Sequence, residues 1–245
     1  MRAEILFPEV CNLYGDLQNI YYLKRCCPEL EIVETDLKSR PAFLDGDVTL
    51  VFMGSTTEQG LQLAADALRP YRDAIAEKID AGQLFLATGN ALDILGDAID
   101  SDAAPRIEGL GLLPTRTVFS EQKRRTQVTA TVTAEPFAGA KLTGYEIHTG
   151  RTVVEGTPFD TLADGQPEGC VNGSVFGTYL HGLFDTGELT EKLTVFLCKQ
   201  KGIAPEAAAL VPMEQYRQQQ FDLLADGVRG ALDMAAVYRA MGMER

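Results

Sequence analysis

The chain is short of histidine, of basic charge and of long apolar stretches, and each shortage excludes a class of function. Only two histidines occur, His148 and His181, so a His-rich metal centre is excluded. The five cysteines (Cys11, Cys26, Cys27, Cys170 and Cys198) are odd in number and include no C-x-x-C pair. Adjacent Cys26 and Cys27 cannot easily bridge each other, so the cysteines read as reduced thiols, most of them core, in a cytoplasmic protein. Basic residues number 22 against 35 acidic ones, a net charge of −13 that disfavours nucleic acid and anionic membranes as partners. No run approaches the ~20 apolar residues of a membrane span. The opening MRAEILFPEVCNLYG lacks a signal-peptide layout, because Glu4, Pro8 and Glu9 interrupt its apolar run. No internal repeat, linker or GxxxxGK[ST] phosphate loop is present.

What remains is a folded chain of 245 residues, 45% hydrophobic and 23% charged. Ala3–Phe7, Glu31–Thr35, Val48–Met53 and Leu84–Ala87 read as strands. VTLVFM is apolar almost throughout, as a strand covered on both faces requires. Asn19–Cys27 has helical spacing, Glu58–Ala81 reads as one long helix bent or divided near Pro70, and Ala91–Leu95 as a short one. The alternation predicts a doubly wound parallel sheet with ligands at the carboxyl ends of its strands. Thr126–Thr133 then alternates Thr and Val, and Lys141–His148, Thr152–Glu155, Gly169–Val171 and Val175–Tyr179 follow as short strands. Thr190–Lys199 and Glu214–Met241 read as closing helices, the second breaking at Gly227 or Gly230. The expected class is therefore α/β: a three-layer, mostly parallel sheet with antiparallel additions and a helical extension over about 213–243. The whole of 1–245 is read as a single domain.

Two strings hold both histidines. In Gly177-Thr178-Tyr179-Leu180-His181-Gly182-Leu183-Phe184-Asp185, a His between a strand end and a glycine can serve as general base, or simply hydrogen-bond within a tight turn. The second is Gly144-Tyr145-Glu146-Ile147-His148-Thr149-Gly150-Arg151-Thr152, which alone reads as a polar turn. Together GTYLHGLFD and GYEIHTGRT resemble the glutamine amidotransferase domains of the cobyric acid synthase type, in the class I (triad) superfamily. The stretch Tyr216–Met241 resembles the end of cobyric acid synthases. Asn12-Leu13-Tyr14-Gly15-Asp16, with Asn19 and Leu23-Lys24, is similar to the GatD subunit of lipid II isoglutaminyl synthase, which works with MurT. Glu58-Gln59 and Gly109-Leu110-Gly111-Leu112 fit the same family.

That resemblance implies a flavodoxin-like fold that hydrolyses glutamine and passes ammonia to an ATP-dependent synthase. A Cys on a strained strand-to-helix turn attacks the side-chain amide, activated by the His that matches His181, while backbone N–H groups hold the oxyanion. No cofactor is implied. Here the nucleophile position falls on Gly89, within Leu86-Ala87-Thr88-Gly89-Asn90-Ala91, and the surrounding turn has diverged too. Thr88 is aimed away from where residue 89 would point. Cys11, at the end of the first strand, is the one cysteine entertained as a replacement, and Cys170 reads as packing. The glycine-rich oxyanion loop is reduced to Gly54-Ser55-Thr56-Thr57, which also reads as a cap for the next helix with Glu58 assisting. Asp16 either orients His181 or makes an Asx turn. Position 183 is Leu, where many class I enzymes carry a Glu; that absence is normal for this branch.

The candidate site is therefore His181, Gly89, Asp16 and Cys11, with Gly54, Ser55, Asn90, His148 and Arg151 as candidate substrate-binding residues. Three readings follow. One is a GatD-like subunit that has lost glutaminase activity and works beside a Mur-ligase-like or other ATP-dependent amidating synthase, with glutamine or a related small molecule as ligand. Another is an active glutaminase using Cys11 to supply ammonia for peptidoglycan or corrinoid amidation. A different hydrolase or binder on the same fold is a third.

Overall fold

In a computed structural model, which describes residues 1–207 and 210–243, the first half of the chain alternates strand and helix. β1 (Arg2–Leu6) leads through α1 (Gln18–Cys26) to β2 (Glu31–Thr35). β3 (Leu50–Met53) is followed by α2 (Glu58–Leu68) and α3 (Arg72–Asp80), and β4 (Leu84–Thr88) by α4 (Ala91–Leu95). The stretch expected as one helix is thus two, joined by a 3-10 turn over Arg69–Tyr71, because Pro70 cannot donate the backbone hydrogen bond that would continue the first.

The second half is built from strands: β5 (Ala98–Asp100), β6 (Ile107–Glu108), β7 (Thr115–Val132), β8 (Lys141–Val154), β9 (Asp160–Leu162), β10 (Pro167–Glu168), β11 (Cys170–Asn172), β12 (Val175–Thr178) and β13 (Leu180–His181). Helices α5 (Glu188–Gln200), α6 (Met213–Ala231) and α7 (Met234–Ala240) follow. The final break falls at Leu232–Asp233 rather than at Gly227 or Gly230, where Asp233 caps α7 by accepting from the Ala236 N–H. Both glycines stay inside α6.

One six-stranded sheet runs in the order β11-β12-β4-β3-β1-β2, parallel except for β11 at its edge. Its five parallel strands have the doubly wound order in which the chain reverses direction between β1 and β3, so the loops leaving those strands diverge and open a crevice. Period-2 alternation divides the apolar runs between two cores. Ile5, Leu50, Phe52, Leu84 and Phe176 face α1 and α5 on one side. Leu6, Val51, Met53, Phe85 and Val175 face α2, α3 and α4 on the other. The buried Glu4 in β1 accepts from Thr35 Oγ1 and from the Ala42 and Phe43 N–H groups, which offsets its desolvation.

The antiparallel additions form a second sheet rather than an extension of the first. Its spine is the β7–β8 ribbon, longer than expected, with its pairing interrupted by a bulge between Val118 and Lys123. β13 pairs with β8, which places His181 opposite Tyr145 and brings the two histidine strings together. All five cysteines are buried and unpaired. No helix among the described residues is long and apolar enough to cross a membrane.

Asp160 and Glu168 face each other across β9 and β10 in full burial. Glu168 accepts from Thr178 Oγ1 at 2.6 Å and from the Tyr179 N–H at 2.7 Å, whereas neither Asp160 oxygen has a partner among the described residues, so the proton belongs on Asp160. Desolvation, and then the neighbouring carboxylate, raise Asp160 far above the usual aspartate range; desolvation also raises Glu168. A folded acid with a raised pKa holds a proton that the unfolded chain releases, so this pair makes stability fall as pH rises above the unfolded carboxylate range. Asp160→Asn is expected to stabilise the protein at pH 8 by at least about 1.4 kcal/mol, the worth of one pKa unit. The gain should vanish near pH 4, as measured by guanidinium unfolding at both pH values.

Candidate active site

The carboxyl ends of β1, β3 and β4 converge on His181. The loop after β1 makes a 3-10 turn over Leu13–Gly15 with Tyr14 at φ +64°, a left-handed conformation that sends Tyr14 and Asp16 to the same side. The Tyr14 ring packs edge-on against the His181 ring at 5.0 Å between centroids. Asp16 is buried, and its Oδ1 lies 2.8 Å from His181 Nδ1. Its Oδ2 accepts from the Ser55 N–H at 2.9 Å and from Thr88 Oγ1 at 2.8 Å. A carboxylate only accepts, so Nδ1 carries the proton and Nε2 is the nitrogen offered for chemistry. That Nε2 is buried without a hydrogen-bond partner among the described residues.

Gly89 lies directly in front of it. At φ +58° its backbone has the left-handed turn of a strand-to-helix elbow between β4 and α4. A Cβ built there would sit 3.3 Å from His181 Nε2, so a side chain at this position would stand against the unpartnered ring nitrogen. It would also sit 2.5 Å from Ser55 Cβ and 2.8 Å from His181 Cε1, closer than real Cβ atoms approach. Ser55 therefore takes the room a residue-89 side chain needs, and is tied in place through Oγ to the Leu13 carbonyl at 3.0 Å.

The loop after β3 is committed elsewhere too. The Thr56 N–H donates to Asn90 Oδ1 at 2.8 Å, and Asn90 Nδ2 returns a bond to the Thr56 carbonyl at 2.8 Å. A cavity of about 430 Å³ opens over this arrangement. Its walls include Tyr14, Ser55, Glu58, Asn90, Phe119, Lys123, His148 and His181. Lys123 Nζ donates to Tyr14 Oη at 2.7 Å and lies over its ring, linking the ribbon to the β1 loop.

His181, with Asp16 on its Nδ1, is thus aimed at a left-handed elbow at the carboxyl edge of a doubly wound sheet. Residues 3–189 match the CobB/CobQ-like glutamine amidotransferase domain. The chain belongs to that family. It is 31% identical over 220 residues to the cobyric acid synthase of Thermoanaerobacter sp., covering 80% of this chain and 42% of that one. Against the cobyric acid synthase of Lachnoclostridium phytofermentans it is 30% identical over 267 residues, covering 98% of this chain and 50% of the relative. The chain thus spans half or less of these curated relatives. Among solved structures, PurLQS from Thermotoga maritima superposes with a TM-score of 0.59 at 20% identity, covering 80% of this chain and 98% of that one. The last likeness concerns the fold.

Within this amidotransferase domain the sequence-derived candidates separate. His181, Asp16, Gly89, Ser55 and Asn90 meet at the elbow, and His148 lines the cavity above it. Gly54 does not line the cavity. It lets β3 pass the β1 loop, since a Cβ there would fall 2.6 Å from the Cys11 carbonyl oxygen and 2.9 Å from Asp16 Cβ. Arg151 is exposed on β8, paired in register with Val118, and is not among the cavity walls. Cys11 is closed within the core between the first sheet and its helices, and burial pushes its thiol up to about 12, the reverse of what a thiolate nucleophile needs. Cys170 is likewise buried.

Two contributions escaped the sequence reading. The Thr88 hydroxyl, expected to aim away from residue 89, donates to Asp16 and so helps to hold the carboxylate. Lys123 reaches the cavity because the bulge in β7 shifts the ribbon's register. The Asx-turn alternative for Asp16 gives way to its contact with His181, and Thr57, not Ser55 or Thr56, caps α2 by accepting from the Gly60 N–H.

Proposed function

We propose that this chain is a GatD-like amidotransferase-fold subunit that no longer hydrolyses glutamine, acting beside an ATP-dependent, Mur-ligase-like partner. One observation carries the reading. The elbow keeps its left-handed backbone and its place against His181, yet the residue on it has no side chain. Removing the nucleophile of a catalytic pair costs on the order of 10⁶ in rate. Ser55 in the vacated space and Asn90 on the Thr56 N–H agree with a site no longer shaped around a tetrahedral intermediate.

The cavity itself persists, with Tyr14, Lys123, His148 and His181 on its walls. We read it as a receptor for glutamine or a related small molecule, whose occupancy the partner senses. The GatD-like assignment draws on the Asn12–Asp16 string, whose Tyr14 and Asp16 both act on His181. Burial of Cys11 speaks against the alternative of an active glutaminase built on that thiol.

Glutamate release from glutamine, assayed for the chain alone and with a Mur-ligase-like partner, tests this. The expected rate equals that of His181→Ala under both conditions. Turnover that falls in His181→Ala overturns the reading, and a further loss in Cys11→Ser would assign the nucleophile to Cys11.

A further inference from the structure

A line of buried polar groups runs from the cavity wall into the core, and the loss of the nucleophile does not explain it. His148 stacks on the Tyr179 ring, with centroids 4.0 Å apart, and its Nε2 lies 3.3 Å from Thr152 Oγ1. Thr152 Oγ1 lies 2.5 Å from Tyr179 Oη and 2.7 Å from Thr117 Oγ1. Tyr179 Oη and Thr117 Oγ1 both donate to Oδ1 of Asp93, a fully buried carboxyl on α4. Asp93 Oδ2 has no partner among the described residues. Every link is a hydroxyl with one proton, so the direction of each hydrogen bond fixes the next.

Suppose Asp93 is ionised. Tyr179 and Thr117 then commit their protons to it, and Thr152, nearer to those two oxygens than to Nε2, donates to one of them. Thr152 has nothing left to give His148, so Nε2 carries the ring proton and Nδ1 is bare. Suppose instead that one proton enters from the cavity at Nδ1. The Nε2 proton passes to Thr152, the Thr152 proton to Tyr179 or Thr117, and that residue's proton to Asp93. Each bond along that branch has reversed, the other branch still donates to Asp93, His148 is neutral in both states, and the single added proton resides on Asp93.

We propose that His148 sets the hydrogen-bond sense in which the cavity reads its ligand, and that Asp93 sets the tautomer of His148. With Asp93 ionised, the bare Nδ1 accepts, and the cavity favours a ligand N–H such as a carboxamide or ammonium. With Asp93 protonated, Nδ1–H donates, and a carboxylate is favoured. The proposal rests on the reading of the cavity as a ligand site, but its test does not depend on any ligand.

The electrostatics suit such a relay. Burial lifts Asp93 up to about 7, with Thr117 and Tyr179 opposing, and no charged side chain acts on it. Burial, then the Arg124 charge, pushes His148 down to about 4, so the ring stays neutral while Asp93 titrates. On the cavity side the charged or titratable neighbours are Tyr14, Lys123, Glu58 and His181, with Glu146 paired to Arg124 behind.

Because the chain has two histidines, long-range proton–nitrogen correlation spectra of the nitrogen-15-labelled full chain resolve both rings. His181→Gln identifies which signals belong to His148. The expected result is an Nε2–H tautomer at pH 8.5 that converts to Nδ1–H as pH falls through about 7, without passing through imidazolium. Thr152→Val removes the hydroxyl common to both branches and should leave one tautomer across that range. A single tautomer at both pH extremes in the wild type, or a reversal that survives in Thr152→Val, overturns the proposal. Neither outcome bears on whether glutamine is hydrolysed.

Discussion

Gly89→Cys alone is expected to yield a protein with no measurable glutaminase activity, although it places a thiol beside His181. Three obstacles are built into the site. The backbone at residue 89 has φ +58°, which costs an L-residue about 1–2 kcal/mol unless its surroundings were shaped for it. The new Cβ collides with Ser55 Cβ at 2.5 Å, and Ser55 is held through its N–H to Asp16 and its hydroxyl to Leu13. Beyond that, Asn90 occupies the Thr56 N–H in the loop that the resemblance would assign to the oxyanion.

Adding Ser55→Gly removes the collision with Ser55 and keeps the backbone bond to Asp16, leaving only the 2.8 Å approach to His181 Cε1 for the ring to absorb by shifting. Adding Asn90→Gly as well frees the Thr56 N–H. One oxyanion donor is worth roughly 10²–10³ in rate, so the triple variant should release glutamate at least about 10²-fold faster than Gly89→Cys. Steady-state glutamate release, alongside iodoacetamide modification of the new thiol, reads both stages. Activity in the single variant at the level of the triple would mean that Ser55 and Asn90 do not block the site.

The same residues mark how far the sequence could be read. The apolar runs Val48–Met53 and Leu84–Ala87 announced strands buried on both faces, because burial on two sides leaves no polar positions to alternate. His181 was legible through the strings around it, whereas Asp16 left two readings open, orienting His181 or an Asx turn, which its contact with Nδ1 decides. The role of Ser55 was not legible, since its approach to Gly89 depends on how two crossovers bring separate strand ends together. Asn90 read as a substrate contact for a similar reason, as a carboxamide at an elbow serves a ligand or a neighbouring backbone equally well. The length of the β7–β8 ribbon was hidden by its middle. Ser120 to Arg125 is polar and charged, which suggests a loop by composition, whereas the strand runs through it and pairing with β8 resumes at Lys123. His148 and Asp93 lie 55 positions apart and gave no joint signal.

Asp16→Ala is expected to cost about 3–5 kcal/mol of stability, the range for removing one partner of a buried, hydrogen-bonded charge. Three donors converge on that carboxylate: His181 Nδ1, the Ser55 N–H and the Thr88 hydroxyl. Each is buried, and each unpaired donor carries a desolvation penalty of about 1–3 kcal/mol that alanine cannot relieve. At about 2–4 °C per kcal/mol for a chain of this size, the melting temperature should drop by roughly 6–20 °C. Asp16→Asn separates charge from geometry. Its carbonyl oxygen can still accept from Ser55 and Thr88, but its amide N–H₂ then meets His181 Nδ1 and forces the proton to Nε2. The expected cost is smaller, about 1–2 kcal/mol, with His181 in the opposite tautomer to that of the wild type. Guanidinium unfolding at pH 7 gives both energies. A loss under about 1 kcal/mol in Asp16→Ala would mean that water replaces the carboxylate, and that the His181 orientation does not depend on the loop after β1.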